Sequence, residues 1–413
     1  MPSKAKSAEP VPGAGKADPT VLFGAFDRHN FGDLLFPHVA AALLPDRDLI
    51  FAALATRDLR SQGGHRVRAL AEFAAERGGR PINLIHVGGE LLTCEAWQAA
   101  VMLLPPEEAQ SVAARLDDRP AERLAWARQR LGINDLAPYC AARSRLPGVA
   151  ALSYNAVGGV DFVARPAALR DEVLEKLKDA DIVSVRDHQT QAALAAEGIP
   201  ARMVPDPGVM VAELFGAAIR EHAQAGEVAE MLRTFPQGYV AVQFSADFGD
   251  DASLAEIAAQ LDVVAAATGL GVVFFRAGAA PWHDDLDCYR RVARYLRQAR
   301  SRIFNSLNLW DICALIASSR AYCGSSLHGR IVAAAFAMPR LSLLHPAHEH
   351  RASKQAAYAA TWEPDLPAAV GIQGLASGLA QALGADRARL QGIAAELAAR
   401  YRAGFDAVAA VLE

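Results

Sequence analysis

Short apolar runs alternate with amphipathic stretches along most of this chain. That alternation is the signature of helices packed on a parallel β-sheet. It predicts strands at 21–26, 49–54, 82–87, 149–154, 182–185 and 202–204. Helical spacing fills 65–77, 121–130, 167–178 and 189–197, and 213–235 reads as a connecting helical stretch. A second series begins after Gly238, with strands predicted at 239–244, 272–275, 302–304, 321–323 and 340–344. Helices are predicted between them at 254–268, 286–298, 309–318 and 331–336, and a long helix at 385–412. The expected fold class is α/β: two Rossmann-like domains facing a cleft, with a long C-terminal helix. The expected boundaries are a disordered lead at 1–20, domains at 21–235 and 236–384, and the helix at 385–413. In open α/β sheets ligands bind beyond the carboxyl ends of the strands. Chemistry is therefore sought where a polar motif directly follows a strand.

Composition narrows the class. At 413 residues the chain suits two cores better than one. Its 52% hydrophobic and 21% charged content is that of a folded globular protein. A net charge of −4 argues against a nucleic-acid partner, which needs excess positive charge. The cysteines, Cys94, Cys140, Cys288, Cys313 and Cys323, show no CxxC spacing. Neither a disulfide framework nor a zinc site is suggested, and reduced thiols in a cytoplasmic enzyme are expected. The first 20 residues are rich in Pro, Ala, Gly, Lys and Ser, without the apolar core of a signal peptide. No run approaches the ~20 apolar residues of a membrane span, so any membrane association is expected to be peripheral.

The most pointed motif is Cys323-Gly-Ser-Ser-Leu-His-Gly-Arg330, between a predicted strand and a small-residue helix. Ser325 and Ser326 suit a helix cap, and His328 and Arg330 fall in the first turn. A titratable ring, a fixed cation and a helix N-terminus together suit an anionic small molecule. The same residues also suit an ordinary capped helix, and the motif alone leaves both readings open. After the first strand, Asn30 and Gly32 allow a tight turn and Asp33 can cap the next helix. Gly88, Gly89 and Glu90 follow the third strand, where glycines let backbone approach a ligand. Arg186 ends the fifth strand, where its planar fork suits phosphate or carboxylate, or an ion pair with Asp187 or Asp181. Asp206 is fixed between Pro205 and Pro207, in a site wall or an interdomain turn. Arg276 and His283 belong to a loop after a second-series strand, as ligand contacts or plain loop residues. In the loop after the last predicted strand, His345, His348 and His350 lack the partners and spacing of a metal site, and Lys354 offers a cation.

Taken in order, these pieces resemble the polysaccharide pyruvyl transferase family. The resemblance rests on Asn30-Phe31-Gly32-Asp33, Gly88-Gly89, Ser184-Val185-Arg186-Asp187, Pro205-Asp206-Pro207 and Ser325-Ser326-Leu327-His328-Gly329-Arg330, over residues 21–358. It implies a GT-B-like fold, and transfer of the enolpyruvyl group of phosphoenolpyruvate onto sugar hydroxyls as a pyruvate ketal, with release of phosphate. It makes the first domain the acceptor side and the second the donor side. Arg186, Arg330, Ser325, Ser326, Lys354 and Arg276 are then the donor-binding set. Asn30, Gly88, Gly89 and Glu90 are the acceptor-binding set. His328 is the expected general acid, and Asp33 or Asp206 the base. Leu34, where an acidic residue often follows the Gly-Asp pair, and Glu90, within a longer glycine run, depart from the pattern. The implied partners are phosphoenolpyruvate and a sugar or lipid-linked oligosaccharide. No step of that chemistry requires a metal or a bound cofactor. Two rivals remain: a nucleotide-sugar glycosyltransferase of the same architecture, with Glu349 as its ribose carboxylate, and a non-catalytic relative in polysaccharide assembly.

Overall fold

The computed structural model describes residues 18–116, 118–346, 353–367 and 369–412. Most of the expected N-terminal lead lies outside them. The first sheet is built from β1 (Thr20–Phe23), β2 (Leu49–Ala53), β3 (Arg57–Asp58) and β4 (Arg66–Ala69). β5 (Ile82–His86), β6 (Val149–Val157), β7 (Ile182–Val185) and β8 (Arg202–Met203) complete it. Its order is β3-β4-β2-β1-β5-β6-β7-β8, and only the β3–β4 pair is antiparallel. The second sheet contains β9 (Tyr239–Gln243), β10 (Gly271–Phe274), β11 (Ser301–Ile303), β12 (Ala321–Gly324), β13 (Arg340–Leu343) and β14 (Ala369–Val370). Its order is β11-β10-β9-β12-β13-β14, parallel throughout. Central strands such as Ile82–His86 and Tyr239–Gln243 are buried at every position, as strands covered by helices on both faces must be.

Three expectations are corrected. The segment 65–77 is not one helix. Val67 and Ala69 alternate with the more exposed Arg66 and Arg68 and pair beside β2, and only Leu70–Arg77 is helical. The first helix, Phe31–Leu43, is capped by Asn30 rather than Asp33. Asn30 Oδ1 accepts from Gly32 N at 3.2 Å, which leaves Asp33 in the first turn. Lys354 does not lie in a loop; it opens the helix Lys354–Trp362, capped by Ser353.

The two sheets share an apolar seam. Phe31, Leu35 and Val39 of the first helix belong to one buried cluster with Leu309, Ile312 and Ile331 from the second half. The last helix, Arg387–Ala410, contributes Tyr401 and Phe405 to that cluster. It returns to the first sheet: Tyr401 Oη accepts from Asn155 Nδ2 of β6 at 2.9 Å. A side chain at Gly404 would meet Val204 at 2.6 Å, so only glycine permits this approach. Among the described residues no helix is long and apolar enough to cross a membrane.

Candidate functional site

Each sheet has one topological switch point, between β1 and β5 in the first and between β9 and β12 in the second. Such crevices are where doubly wound sheets hold ligands. Here both contribute walls to one cleft of about 510 Å³.

The first wall is the loop after β1. Arg28 Nη1 donates to Tyr139 Oη at 2.7 Å, and Arg28 Nη2 lies 3.8 Å from Asp33 Oδ2. Tyr139 Oη in turn donates to the buried Asp27 carboxylate at 2.8 Å. Arg28, Asn30 and Asp33 all line the cleft. After β5, Gly88 and Gly89 have φ of +123° and +99°. A Cβ at Gly88 would sit 3.2 Å from Pro207, and one at Gly89 3.4 Å from Asp33 and Phe36. Neither glycine lines the cleft; they let Asp33 and the Pro207 turn close against β5. Glu90 does line it.

The second wall is built on Gln243, the last residue of β9. Its backbone oxygen accepts from Ser325 N at 3.1 Å, and its Oε1 from Ser326 N at 2.8 Å. Its Nε2 donates to Asp284 at 2.7 Å. These bonds fix the start of the helix Leu327–Ala335, where Ser326 Oγ caps Gly329 N. His328 in its first turn is only 8% exposed and lines the cleft.

The two walls touch at His328. A Cβ at Gly32 would lie 2.0 Å from its Nδ1, so the ring packs closely against a glycine of the opposite half. The phenyl ring of Phe36 meets the imidazole edge-on, centroids 5.2 Å apart. The other ring nitrogen, Nε2, lies 3.7 Å from Asp206 Oδ2 and has no hydrogen-bond partner among the described residues. Asp206 also accepts from Arg186 Nη1 at 2.7 Å and Gly208 N at 2.9 Å. Arg186 Nη2 donates to Glu90 at 2.6 Å. The arginine fork is thus shared between two carboxylates, and the series Glu90–Arg186–Asp206–His328 crosses from one half to the other. Lys354 completes the cationic side. Three helix starts, at Phe31, Leu327 and Lys354, converge here, and each presents the positive end of its dipole.

Burial would raise the Asp206 carboxyl, but His328, Arg186 and Gly208 N–H outweigh it and hold it below the usual carboxylate range. Burial also opposes ionisation of Glu90, and Arg186, Lys354 and the Val160 N–H overcome it, again lowering the carboxyl. His283 is pushed down to about 4, mainly by burial and further by Arg28 and Lys354. Its neutral ring places Nδ1 against Pro281 O at 3.0 Å and Nε2 3.4 Å from Asn30 Nδ2, an acceptor for that amide. Asp284 is raised to about 7 by burial, despite hydrogen bonds from Ala277 N and Gln243.

Arg330 is not part of this cleft. It is fully buried on the other side of its helix, with Nη2 donating to Glu363 at 2.5 Å and Nη1 to Pro367 O at 3.0 Å. Arg340 Nε donates to the same Glu363 carboxylate at 3.1 Å. His328 and Arg330 are two residues apart, which on a helix means nearly opposite faces. Arg276 does not line the cleft either; it acts electrostatically on His29 and Asp284 behind the wall. Ser325, Ser326, Lys354, Asn30 and Glu90 do line it, while Asp206 sits fully buried behind Arg186 and His328. Glu349, His348 and His350 lie outside the described residues. Among those described, no group of three or more His, Cys, Asp and Glu could hold a metal. Sequence reasoning missed Arg28, Arg165, Gln243 and Asp284, all cleft residues. Arg28 and Gln243 each sit at or just after a strand end, the position that found Arg186.

The polysaccharide pyruvyl transferase family model matches residues 133–345, just over half of the chain, and the protein belongs to that family. The match takes in Arg186, Asp206 and His328; Asn30, Asp33, Glu90 and Lys354 lie outside it. No curated protein matches the sequence. In architecture the chain is similar to UDP-N-acetylglucosamine 2-epimerase from Rickettsia bellii, at TM-score 0.56 and 10% identity over 96% of this chain and 97% of that one. The enzyme of that name from Methanocaldococcus jannaschii gives 0.52 at 8% identity, over 90% and 94%. That from Neisseria meningitidis, solved with UDP-GlcNAc bound, gives 0.50 at 10%, over 96% and 99%. At such identities the likeness concerns fold alone, and the fold is GT-B.

Proposed function

We propose that this protein transfers the pyruvyl group of phosphoenolpyruvate onto sugar hydroxyls, forming a pyruvate ketal and releasing phosphate. The observation that carries this reading is the convergence of three helix starts, Arg28 and Lys354 around an imidazole with an unpartnered nitrogen. The donor carries a phosphate and a carboxylate, and both need such a field. His328 delivers the proton to C3 of the donor, which makes C2 electrophilic. Asp206 balances the imidazolium, and Arg186 holds Asp206 in place. A sugar hydroxyl adds to C2 and loses its proton to a base; phosphate then leaves with the electrons of its C2–O bond, and a second hydroxyl closes the ketal and gives its proton back to His328. Asp33 suits the base role better than Asp206. It lines the cleft, whereas Asp206 is held low and already accepts two hydrogen bonds. Phosphate departure is helped by Lys354, Arg28 and the helix dipoles.

The acceptor in this reading is a sugar or a lipid-linked oligosaccharide, met in the cytoplasm or at a membrane surface. Phosphate release from phosphoenolpyruvate, measured with a panel of saccharides and set beside turnover of UDP-sugars, tests it. Saccharide-dependent phosphate release supports the reading. Turnover of a UDP-sugar alone would replace it with a glycosyltransferase, and inertness toward both would point to a non-catalytic relative.

A further inference from the structure

The loop between β10 and the helix Leu286–Tyr295 carries an unusual residue. Trp282 lines the cleft and is 47% exposed. Its φ is +62°, in the left-handed region where a bulky side chain is strained. Among the described residues two other non-glycine positions have positive φ, Ala156 and Ala337, and both are small. Glycine at 282 would relieve the strain, and alanine would remove the exposed ring. The loop is pinned on both sides of the tryptophan, which keeps the strained conformation in place. Ala279 N donates to His29 Nδ1 at 3.1 Å, and Ala246 N to His283 O at 2.8 Å.

The ring has polar company. Trp97 lies 6.3 Å from Trp282, tilted by 50°, on the opposite wall. Beside Trp97, Gln98 Oε1 accepts from Glu95 N, and Glu95 accepts from Arg165 Nη1 at 3.0 Å. Arg165 Nη2 lies 3.8 Å from Asp161, and Arg165 Nε is buried without a partner among the described residues. Gln98, Asp161 and Arg165 all line the cleft. A flat aromatic face in the same cleft as an amide, a carboxylate and a guanidinium is a set that fits a pyranose. The C–H face of the sugar covers the indole, and its hydroxyls find both donors and acceptors. The mixed charge suits a hydroxylated ring better than an anion.

We propose that Trp282 is the stacking platform for a pyranose ring of the acceptor, at the solvent-facing rim of the cleft, with Gln98, Asp161 and Arg165 along the ring's edge. This rests on the acceptor being a saccharide, as proposed above. The test is a fluorescence titration with methyl hexopyranosides and disaccharides, without phosphoenolpyruvate, on the wild type, Trp282→Phe, Trp282→Ala and Trp282→Gly. Steady-state KM values for acceptor and donor accompany it. Saccharide should perturb the wild-type emission, and Trp282→Ala should weaken binding and raise the acceptor KM roughly 10-fold, the cost of one aromatic contact. The donor KM should stay unchanged, and Trp282→Phe should rescue in part. Trp282→Gly should bind as poorly as Trp282→Ala and melt no lower than wild type, because it sheds strain. Unchanged saccharide binding in Trp282→Ala, or no wild-type response to any saccharide, would overturn the proposal. Saccharide binding that depends on Trp282 without any phosphate release would leave the platform standing and remove the pyruvyl transfer reading instead.

Discussion

Two buried arginines, Arg186 and Arg330, look alike in sequence and do different work. Both follow strands, and both are at most 1% exposed. Each is bonded to carboxylate: Arg186 to Glu90 and Asp206, Arg330 to Glu363. The first centre opens on the cleft through Glu90 and touches His328 through Asp206. The second is closed over by protein, and its partners among the described residues include a backbone oxygen, a serine hydroxyl and, on the same carboxylate, the neighbouring Arg340. Glu363 directly follows the helix that begins with Lys354, and Trp362 Nε1 donates to Arg186 O at 2.8 Å. The closed centre therefore anchors the far end of a helix whose near end lies in the cleft. An arginine's place in a motif does not tell which side of the fold it faces; the strand end or helix turn that carries it does.

That comparison can be broken at several points. The largest effect is expected at the open centre. His328→Gln should lower turnover by roughly 10²–10⁴-fold, the usual loss of an acid or base, with donor affinity nearly kept. Near-normal phosphate release by this variant would put the proton elsewhere, with His283 the next residue to test. At the closed centre, Glu363→Ala leaves two buried guanidinium groups without their carboxylate. It should cost about 3–5 kcal/mol of stability in urea unfolding. A loss below 1 kcal/mol in the same experiment would contradict the closed description.

Donor affinity sharpens the contrast. Arg186→Ala leaves Glu90 and Asp206 without their cation beside the cleft and should weaken phosphoenolpyruvate binding by about 1.5–3 kcal/mol; Arg186→Lys should rescue only partly, because the planar fork that the two carboxylates share is lost. Arg330→Lys should leave donor affinity alone and lower the melting temperature. Calorimetric titration of these variants decides, and equal affinity losses at Arg186 and Arg330 would erase the distinction.

The smallest effect concerns two neighbours in the cleft wall. Asp284 titrates near 7 in the folded protein, so it favours the fold at low pH and loses that contribution as pH rises from about 4 to 7. His283, at about 4, does the reverse: its contribution is present above about 6.5 and disappears as pH falls toward 4. Their slopes oppose each other in the wild type. Asp284→Asn should expose a stability that rises with pH through this window, and His283→Gln one that falls. Melting curves at several pH values check this, and parallel profiles for the two variants would refute it.

Much of this architecture was legible from apolar spacing. The strands at 82–87 and 239–244 differ from β5 and β9 by one residue at the carboxyl end, because continuous burial leaves a continuous apolar signal. β4 was not legible, since Val67 and Ala69 offer just two apolar turns of alternation before a true helix begins. The two-residue β14 is too short for any periodicity. In the site, Arg186, Asp206 and His328 were legible as residues following strands or opening a helix. Arg330 shares a motif with His328, but the two-residue step along the helix turns it to the opposite side. Arg165 was not legible as a cleft residue, since its closer partner Glu95 is distant in sequence and its local one, Asp161, reads as an ordinary surface pair.

The last helix carries a consequence for biosynthesis. Asn155 and Val204 belong to the first half, yet their partners are Tyr401 and Gly404. While the chain is being made, that flank of the first sheet must wait, apolar and uncovered, until the whole second half has emerged. The first half can acquire its strands early, but its surface is finished last. Chaperone demand and proteolytic sensitivity should accordingly peak late in synthesis, and should fall when the helix Arg387–Ala410 docks.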